Sequence, residues 1–319
     1  MSDTLTLASS DRVLILAPHP DDESIATGGL IQSARSAGAT VRVIVLTDGD
    51  NNPWPQRWIE KRWRIDALAR RRWGMRRREE ARTALRILGL DADDAVFLGL
   101  PDMGLTDLLM HNDQDIVREL RAQFDEFRAN LLIMPAVSDR HPDHSAAHIL
   151  ARAALAPLAI PRLYTFAVHG RSAEASAAVV ALTPQQRDIK RAAILAHRTQ
   201  MQLSQRRFLR YADSVELFHI DGESTAHPLS ARLGDDGRLH ASVDLTHWNG
   251  AWRGQSLFVA LDNGERILQP LGQNEERSGD GLHIEIQCPA CAPGYVKLAR
   301  AEPGWRVFDR YGWQRFELT

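Results

Sequence analysis

Five uninterrupted apolar runs constrain this chain more than anything else in it: "VLILA" (13–17), "VRVIVL" (41–46), "AVFLGL" (95–100), "LLIMPA" (131–136) and "LYTFAV" (163–168). A strand with one wet face alternates apolar and polar residues. A run that does not alternate is covered on both faces, as in a parallel sheet sandwiched by helices. Helix-like segments lie between the runs, among them "ESIATGGLIQSARSAG", closing on Gly38, and "DQDIVRELRAQFDEFRAN". Regular strand–helix alternation predicts an α/β domain over residues 1–220, a Rossmann-like, doubly wound, mostly parallel sheet. With the usual strand order 3-2-1-4-5, the first and fourth strands are neighbours. The chains leaving them diverge to opposite faces and open a crevice at the carboxyl ends.

The texture changes near residue 221. "LHASVDL", "LHIEIQC" and "GYVKLAR" alternate apolar with polar residues between Gly, Asp and Asn. Residues 221–319 are therefore expected to form a β-rich accessory domain of half-buried antiparallel strands, with no role legible in the sequence. At 319 residues and 44% hydrophobic, the chain can bury one large core or two smaller ones. A net charge of −2 argues against a general polyanion binder. No apolar run nears the ~20 residues that span a bilayer, and "MSDTLTLASSDRV" has neither the basic flank nor the apolar stretch of a signal peptide. Both cysteines, Cys288 and Cys291, fall in one "CPAC". Without a second half-site, neither zinc nor redox chemistry is expected there, and a reducing cytoplasm is the simpler setting.

Two clusters carry the chemistry. "APHPDDE" follows the first apolar run and crowds Asp21, Asp22 and Glu23 beside His19; "SDRHPDH" follows the fourth and supplies His141, Asp143 and His144. Adjacent carboxylates oppose one another's ionisation unless a cation stands among them. The predicted topology brings the two clusters face to face across the crevice, and imidazole with carboxylate is a donor set suited to Zn²⁺. Either cluster alone reads equally well as a capped helix start. Their joint position at neighbouring strand ends favours a metal site. His148, one turn beyond His144, is expected to pack.

These motifs resemble the PIG-L/LmbE-like zinc-dependent N-deacetylases, enzymes that remove acetyl groups from N-acetylglucosaminyl compounds. "LTDGD", "RREEARTALRILGL", "LPDMGL", "KRAAILAHRTQ" and "ADSVELF" follow in the matching order, so the resemblance covers residues 11–220. It implies that His19, Asp22 and His144 ligate zinc, and that Asp21 is the general base. It implies further that His141 polarises or protonates the reacting amide while Asp143 orients a neighbouring histidine. Arg77 would contact substrate, and Asp102 would bind sugar hydroxyls. Where many relatives have a tyrosine ahead of the second motif, this chain has Asp139 and Arg140. The implied partner is an N-acetylated amino-sugar.

Residues 51–78 carry ten Lys/Arg against two acids, with four tryptophans. Entering after the second strand, they are expected to overhang the crevice. They read either as an amphipathic helix with solvated arginines and packed tryptophans, or as a lid contacting phosphate or a glycolipid, peripheral at the inner membrane surface. The other tryptophans (Trp248, Trp252, Trp305, Trp313) sit in the β-rich region, where they either pack or bind glycan. The competing function is a non-catalytic module holding anionic glycan, lipid or nucleic acid through the basic insert. No specific nucleic-acid site is expected. A dinucleotide-binding oxidoreductase is excluded, because no GxGxxG follows the first strand and its turn holds carboxylates where pyrophosphate would need bare amides.

Overall fold

The computed structural model describes residues 3–111, 114–156, 158, 160–170, 178–220, 228–234, 236–247, 254–272, 275–288, 292–300 and 307–317. Eight strands form the large sheet: β1 (Asp3–Thr4), β2 (Arg12–Ala17), β3 (Thr40–Thr47), β4 (Ala95–Leu100), β5 (Leu131–Pro135), β6 (Arg162–Phe166), β7 (Ala178–Ala181) and β8 (Val215–Ile220). Their order is β1-β7-β8-β6-β5-β2-β3-β4. The five apolar runs become the parallel block β6-β5-β2-β3-β4, which is the expected 3-2-1-4-5 arrangement. β8 pairs antiparallel with both β6 and β7 and extends the sheet beyond that block.

The unbroken hydrophobicity of the runs has a direct cause in the pleat. Along β2, Val13, Ile15 and Ala17 enter one core, while Leu14 and Leu16 enter the other. Helices α1 (Asp22–Ser36), α3 (Ala67–Ile87), α7 (Pro184–Ala196) and α8 (Arg198–Phe208) contribute to the first core. Helices α4 (Leu105–Met110), α5 (Gln114–Phe127) and α6 (Pro142–Leu155) contribute to the second, and α2 (Pro53–Glu60) lies in the basic insert. α1 stops where its sequence says it should, with Gly38 at φ +80° just past the helix end.

The C-terminal strands are β9 (Leu229–Leu233), β10 (Arg238–Asp244), β11 (Ser256–Leu261), β12 (Arg266–Pro270), β13 (Glu275–Ser278), β14 (Gly281–Gln287), β15 (Gly294–Ala299) and β16 (Gln314–Phe316). They make two antiparallel four-stranded sheets, β13-β14-β10-β9 and β12-β11-β15-β16. Leu239, Val243 and Ile284 of one sheet meet Leu257, Val259 and Leu298 of the other. β11 and β15 depart from the half-buried expectation, since every residue of both is buried. Leu257 and Val259 face the sandwich core, whereas Phe258 and Ala260 join Tyr295 and Trp313 against the core beneath α5 and α6. The outer face of this sheet is thus covered by the α/β domain. Burying each such aromatic side chain stabilises by about 1.5–3 kcal/mol. Trp313 therefore packs, whereas Trp248, Trp252, Trp305 and Cys291 lie outside the described residues; Cys288 is buried in the sandwich core. No helix among the described residues is long and apolar enough to cross a membrane.

Candidate metal centre and active site

β2 and β5 pair directly, and each hands its chain to a helix at the carboxyl end of the sheet. After β2, Pro18 to Asp21 turn into α1. After β5, His141 caps α6, with Pro142 in the first turn and the His141 ring accepting from the Asp143 amide at 3.2 Å. The two histidine-acid clusters consequently meet. His19 and His144 have ring centroids 5.3 Å apart, and His141 lies 4.6 Å from His19.

The crowding of the three acids resolves because each turns to different basic partners. Asp22 Oδ2 stands 3.2 Å from His19 Nδ1 and 3.2 Å from His144 Nε2. Asp21 turns away to Arg77, whose Nη2 donates to its Oδ2 at 3.0 Å. Glu23 faces His197 at 3.1 Å. Asp21 reaches its position with φ at 146°, a region that favours glycine and costs other residues about 1–3 kcal/mol, as is common where chemistry is done.

The donors fit a metal ion. Both ring nitrogens of His144 are buried and make no hydrogen bond, although carboxylate oxygens lie 3.2 Å away on either side. On the Nε2 side, an imidazole nitrogen and the Asp22 carboxylate that meet without a hydrogen bond suit a common cation. Ligand atoms of His19, His141 and His144 also lie within 4.8 Å of one another, so His141 stands within reach of the same centre. Surrounding carboxylates prepare the cluster for positive charge. Burial opposes protonation of His19, but Asp102, Asp143 and Asp22 outweigh it and raise its pKa well above the usual value. Burial likewise opposes charge on His144, yet Asp22 and Asp139 push it up to about 10. His141 goes the other way: burial, with the charges of His19, His144 and His169, drives it well below the ordinary value. Both effects favour the neutral imidazole. Because Nδ1 accepts from Asp143, its proton sits on Nε2. Burial pushes Asp21 up to about 6, against the pull of Arg77.

Asp143 is fully buried, takes the amides of Met103 and Leu105 at 2.7 and 3.0 Å, and stands 3.2 Å from His19 Nε2. Asp102, expected at sugar hydroxyls, lies 3.3 Å from His19 Nε2 and accepts the Asn51 amide at 2.7 Å. Arg77, expected at the substrate, is buried and reaches Gly49 O, Pro20 O and Asp21. Its guanidinium packs against Asp21. Gly49 explains the glycine of "LTDGD": at φ +60°, a Cβ there would fall 1.9 Å from Arg77 Nη1. Of the neighbouring arginines, Arg76 pairs with Glu80 and Arg78 with Asp48. His148 Nδ1 is 2.9 Å from Pro135 O, and its ring lies 6.2 Å from that of Tyr295.

Three contributors were missed in the sequence. Asp139 accepts the amides of His141, Val168 and His169 and stands 3.2 Å from His144 Nδ1, so it aims that ring. His169 lies beside both, its ring 4.8 Å from that of His144. The rule that located His19 and His141, a polar side chain just past a buried strand, applies equally to His169 after "LYTFAV". Phe308, from the C-terminal region, lies against His169 and His141 and had no sequence signal.

The basic insert begins beside the site. Asn51 holds Asp102 and Arg77 holds Asp21, one at either end of the segment. Trp73 is buried, but Trp54, Trp58 and Trp63 are 57%, 70% and 79% exposed, with the Arg57 guanidinium against the rings of Trp54 and Trp63. Packing on the domain accounts for one tryptophan of the four.

Residues 14–155 match the model of the PIG-L family, described as GlcNAc-PI de-N-acetylase. A curated relative, the 1D-myo-inositol 2-acetamido-2-deoxy-alpha-D-glucopyranoside deacetylase of Mycobacteroides abscessus, is 29% identical over 194 residues, 54% of this chain and 66% of that protein. The chain spans about half to two-thirds of the length of the curated relatives it matches. A conserved protein of Thermus thermophilus superposes with TM-score 0.51 at 26% identity, covering 69% of this chain and 98% of that one. GalB, the 4-carboxy-2-hydroxymuconate hydratase of Pseudomonas putida, gives TM-score 0.51 at 18% identity over 71% of this chain and all of that one, a likeness of fold alone.

Proposed function

Residues 14–155 match the PIG-L family model, and on that likeness together with the site we propose that the chain is a zinc-dependent hydrolase that removes the N-acetyl group from an amino-sugar and releases acetate. A hydratase shares the fold, so the architecture does not select the reaction. One observation carries the reading: Asp22 Oδ2 lies 3.2 Å from both His19 Nδ1 and His144 Nε2, with Asp21 alongside but turned to Arg77. Zinc bonds of about 2.0–2.1 Å at tetrahedral angles separate ligand atoms by about 3.3 Å. On this reading His19, Asp22 and His144 would hold the ion.

When bound there, zinc polarises the amide carbonyl and acidifies water. The chain's own residues do the rest. Asp21, ionised above about pH 6 before any metal charge is added, accepts the proton of the attacking water. His141, neutral with its proton on Nε2, donates a hydrogen bond to the oxygen on which negative charge develops. Protonated Asp21 then delivers its proton to the leaving amine, so water's atoms end on acetate and the free amino-sugar. Asp143 and Asp102 hold His19, and Asp139 holds His144. The test is acetate release from N-acetylglucosamine derivatives by enzyme reconstituted with zinc. Stoichiometric metal binding without acetate would favour a binding module.

The substrate's carrier is read from the insert. Exposed tryptophans interleaved with arginines, on a chain of net charge −2, favour an amino-sugar bearing phosphate or a glycolipid anchor. Turnover of a phosphorylated or lipid-linked substrate should then fall with ionic strength while that of the neutral sugar does not.

A further inference from the structure

The C-terminal region reaches into the site just described. Phe308 has its ring centroid 4.9 Å from that of His169 and 5.8 Å from that of His141. It lies far outside the span that matches the family, residues 14–155. The segment carrying it is fastened to the turn that presents His141. Asp309 N donates to Arg140 O at 2.8 Å, and Arg140 Nε donates to Asp309 O at 3.1 Å. Lys297 Nζ holds the Asp309 carboxylate at 2.6 Å, and Trp313 N donates to Val137 O at 3.0 Å. Between them Gly312 lies so close that a Cβ would fall 2.2 Å from Val137 O.

The result is a phenyl ring at the edge of an otherwise polar cluster. His141 is 8% exposed but Phe308 is 38% exposed, so one surface of the ring remains open beside a buried histidine. An acetyl methyl needs an enclosed pocket a few ångströms from the reacting carbon. A half-open ring at the mouth instead meets the part of the substrate that projects outward. In a pyranose, that part offers an apolar C–H face able to lie on an aromatic ring, as apolar groups do on aromatic surfaces. On the footing of the deacetylase reading, we propose that Phe308 is a specificity-determining residue: its ring is the platform on which the amino-sugar rests. The β-rich region then supplies one wall of the site, and the catalytic unit does not end at residue 220.

The experiment compares zinc-loaded wild type, Phe308→Ala and Phe308→Trp on methyl N-acetylglucosaminide and on N-ethylacetamide, which has the same amide and no ring. Phe308→Ala should lower kcat/KM for the sugar by about 3- to 10-fold, mostly through KM. It should leave the ringless amide within about 2-fold and bind zinc like wild type, and Phe308→Trp should restore the sugar's KM. Gly312→Ala, which pushes the segment off Val137, should reproduce the KM defect with Phe308 intact. An equal loss on both substrates, or none on the sugar, overturns the platform while leaving the deacetylase reading in place. If zinc-loaded wild type releases acetate from neither of these nor from a phosphorylated N-acetylglucosamine derivative, that reading fails. The platform is then judged by calorimetric titration with glucosamine, where equal affinity of wild type and Phe308→Ala refutes it.

Discussion

On the deacetylase reading, replacing Arg77 with methionine should slow turnover near neutral pH by acting on Asp21, the carboxylate it pairs with. Arg77 Nη2 lies 3.0 Å from Asp21 Oδ2, with both side chains buried. Taking the charge centres at about 4 Å and an effective dielectric near 20, the attraction is about 4 kcal/mol, or about three pKa units at most. Water entering beside the smaller side chain should return part of it, leaving a rise of about two. Burial already pushes Asp21 up to about 6. The sign is therefore fixed: losing the guanidinium raises the pKa further, and the base is protonated where it should be ionised. A shift from about 6 to about 8 cuts the ionised fraction at pH 7 from about nine-tenths to about one-tenth, roughly a tenfold loss. That loss should be recovered as pH rises. A bound divalent cation lowers the acid limb of both proteins together, so the displacement between the two profiles is diagnostic. The assay is kcat/KM against pH for metal-loaded wild type, Arg77→Met and Arg77→Lys, the last retaining charge and shifting less. A uniform drop with the acid limb unmoved would show that Arg77 acts some other way.

The remaining predictions separate metal binding from proton transfer and from folding. Asp21→Asn should keep its zinc by elemental analysis and lose about 10²- to 10⁴-fold in kcat, whereas His144→Ala should lose the metal; equal zinc loss in both contradicts the division of roles. Asp139→Asn removes the charge 3.2 Å from His144 Nδ1 and should weaken zinc affinity by about 10- to 100-fold in a competition titration. Glu216→Ala should cost about 3–5 kcal/mol in urea unfolding, because it strands buried Lys190, whose Nζ lies 2.6 Å from the carboxylate.

Residues whose burial alternates between two cores left a plain mark in the sequence, and residues placed by the pairing of distant segments did not. Val13 to Ala17 read as a doubly covered strand because each side chain in turn meets a different apolar layer. The position of His19 and His141 at neighbouring strand ends then followed from topology alone, and the structure brings those rings to 4.6 Å. Arg77 shows where this reasoning stops. An arginine three residues before Glu80 can be recognised, but its direction depends on Gly49, 28 residues earlier, leaving space for its guanidinium. Asp139 looked like a substitution for an aromatic residue; only the return of β6, which delivers the amides of Val168 and His169, makes it the carboxylate that aims His144. "SLFVAL" misled for a related reason. Alternating faces of β11 are both apolar, which in an antiparallel strand signals a second covered surface, and here the covering surface is the α/β domain itself. That contact joins the two regions: the sheet face that buries Phe258 and Trp313 lies beside the segment that sets Phe308 against His141. Packing that stabilises the C-terminal sandwich and geometry that shapes the site therefore rest on the same interface. A variant that loosens one, such as Gly312→Ala, cannot leave the other unchanged.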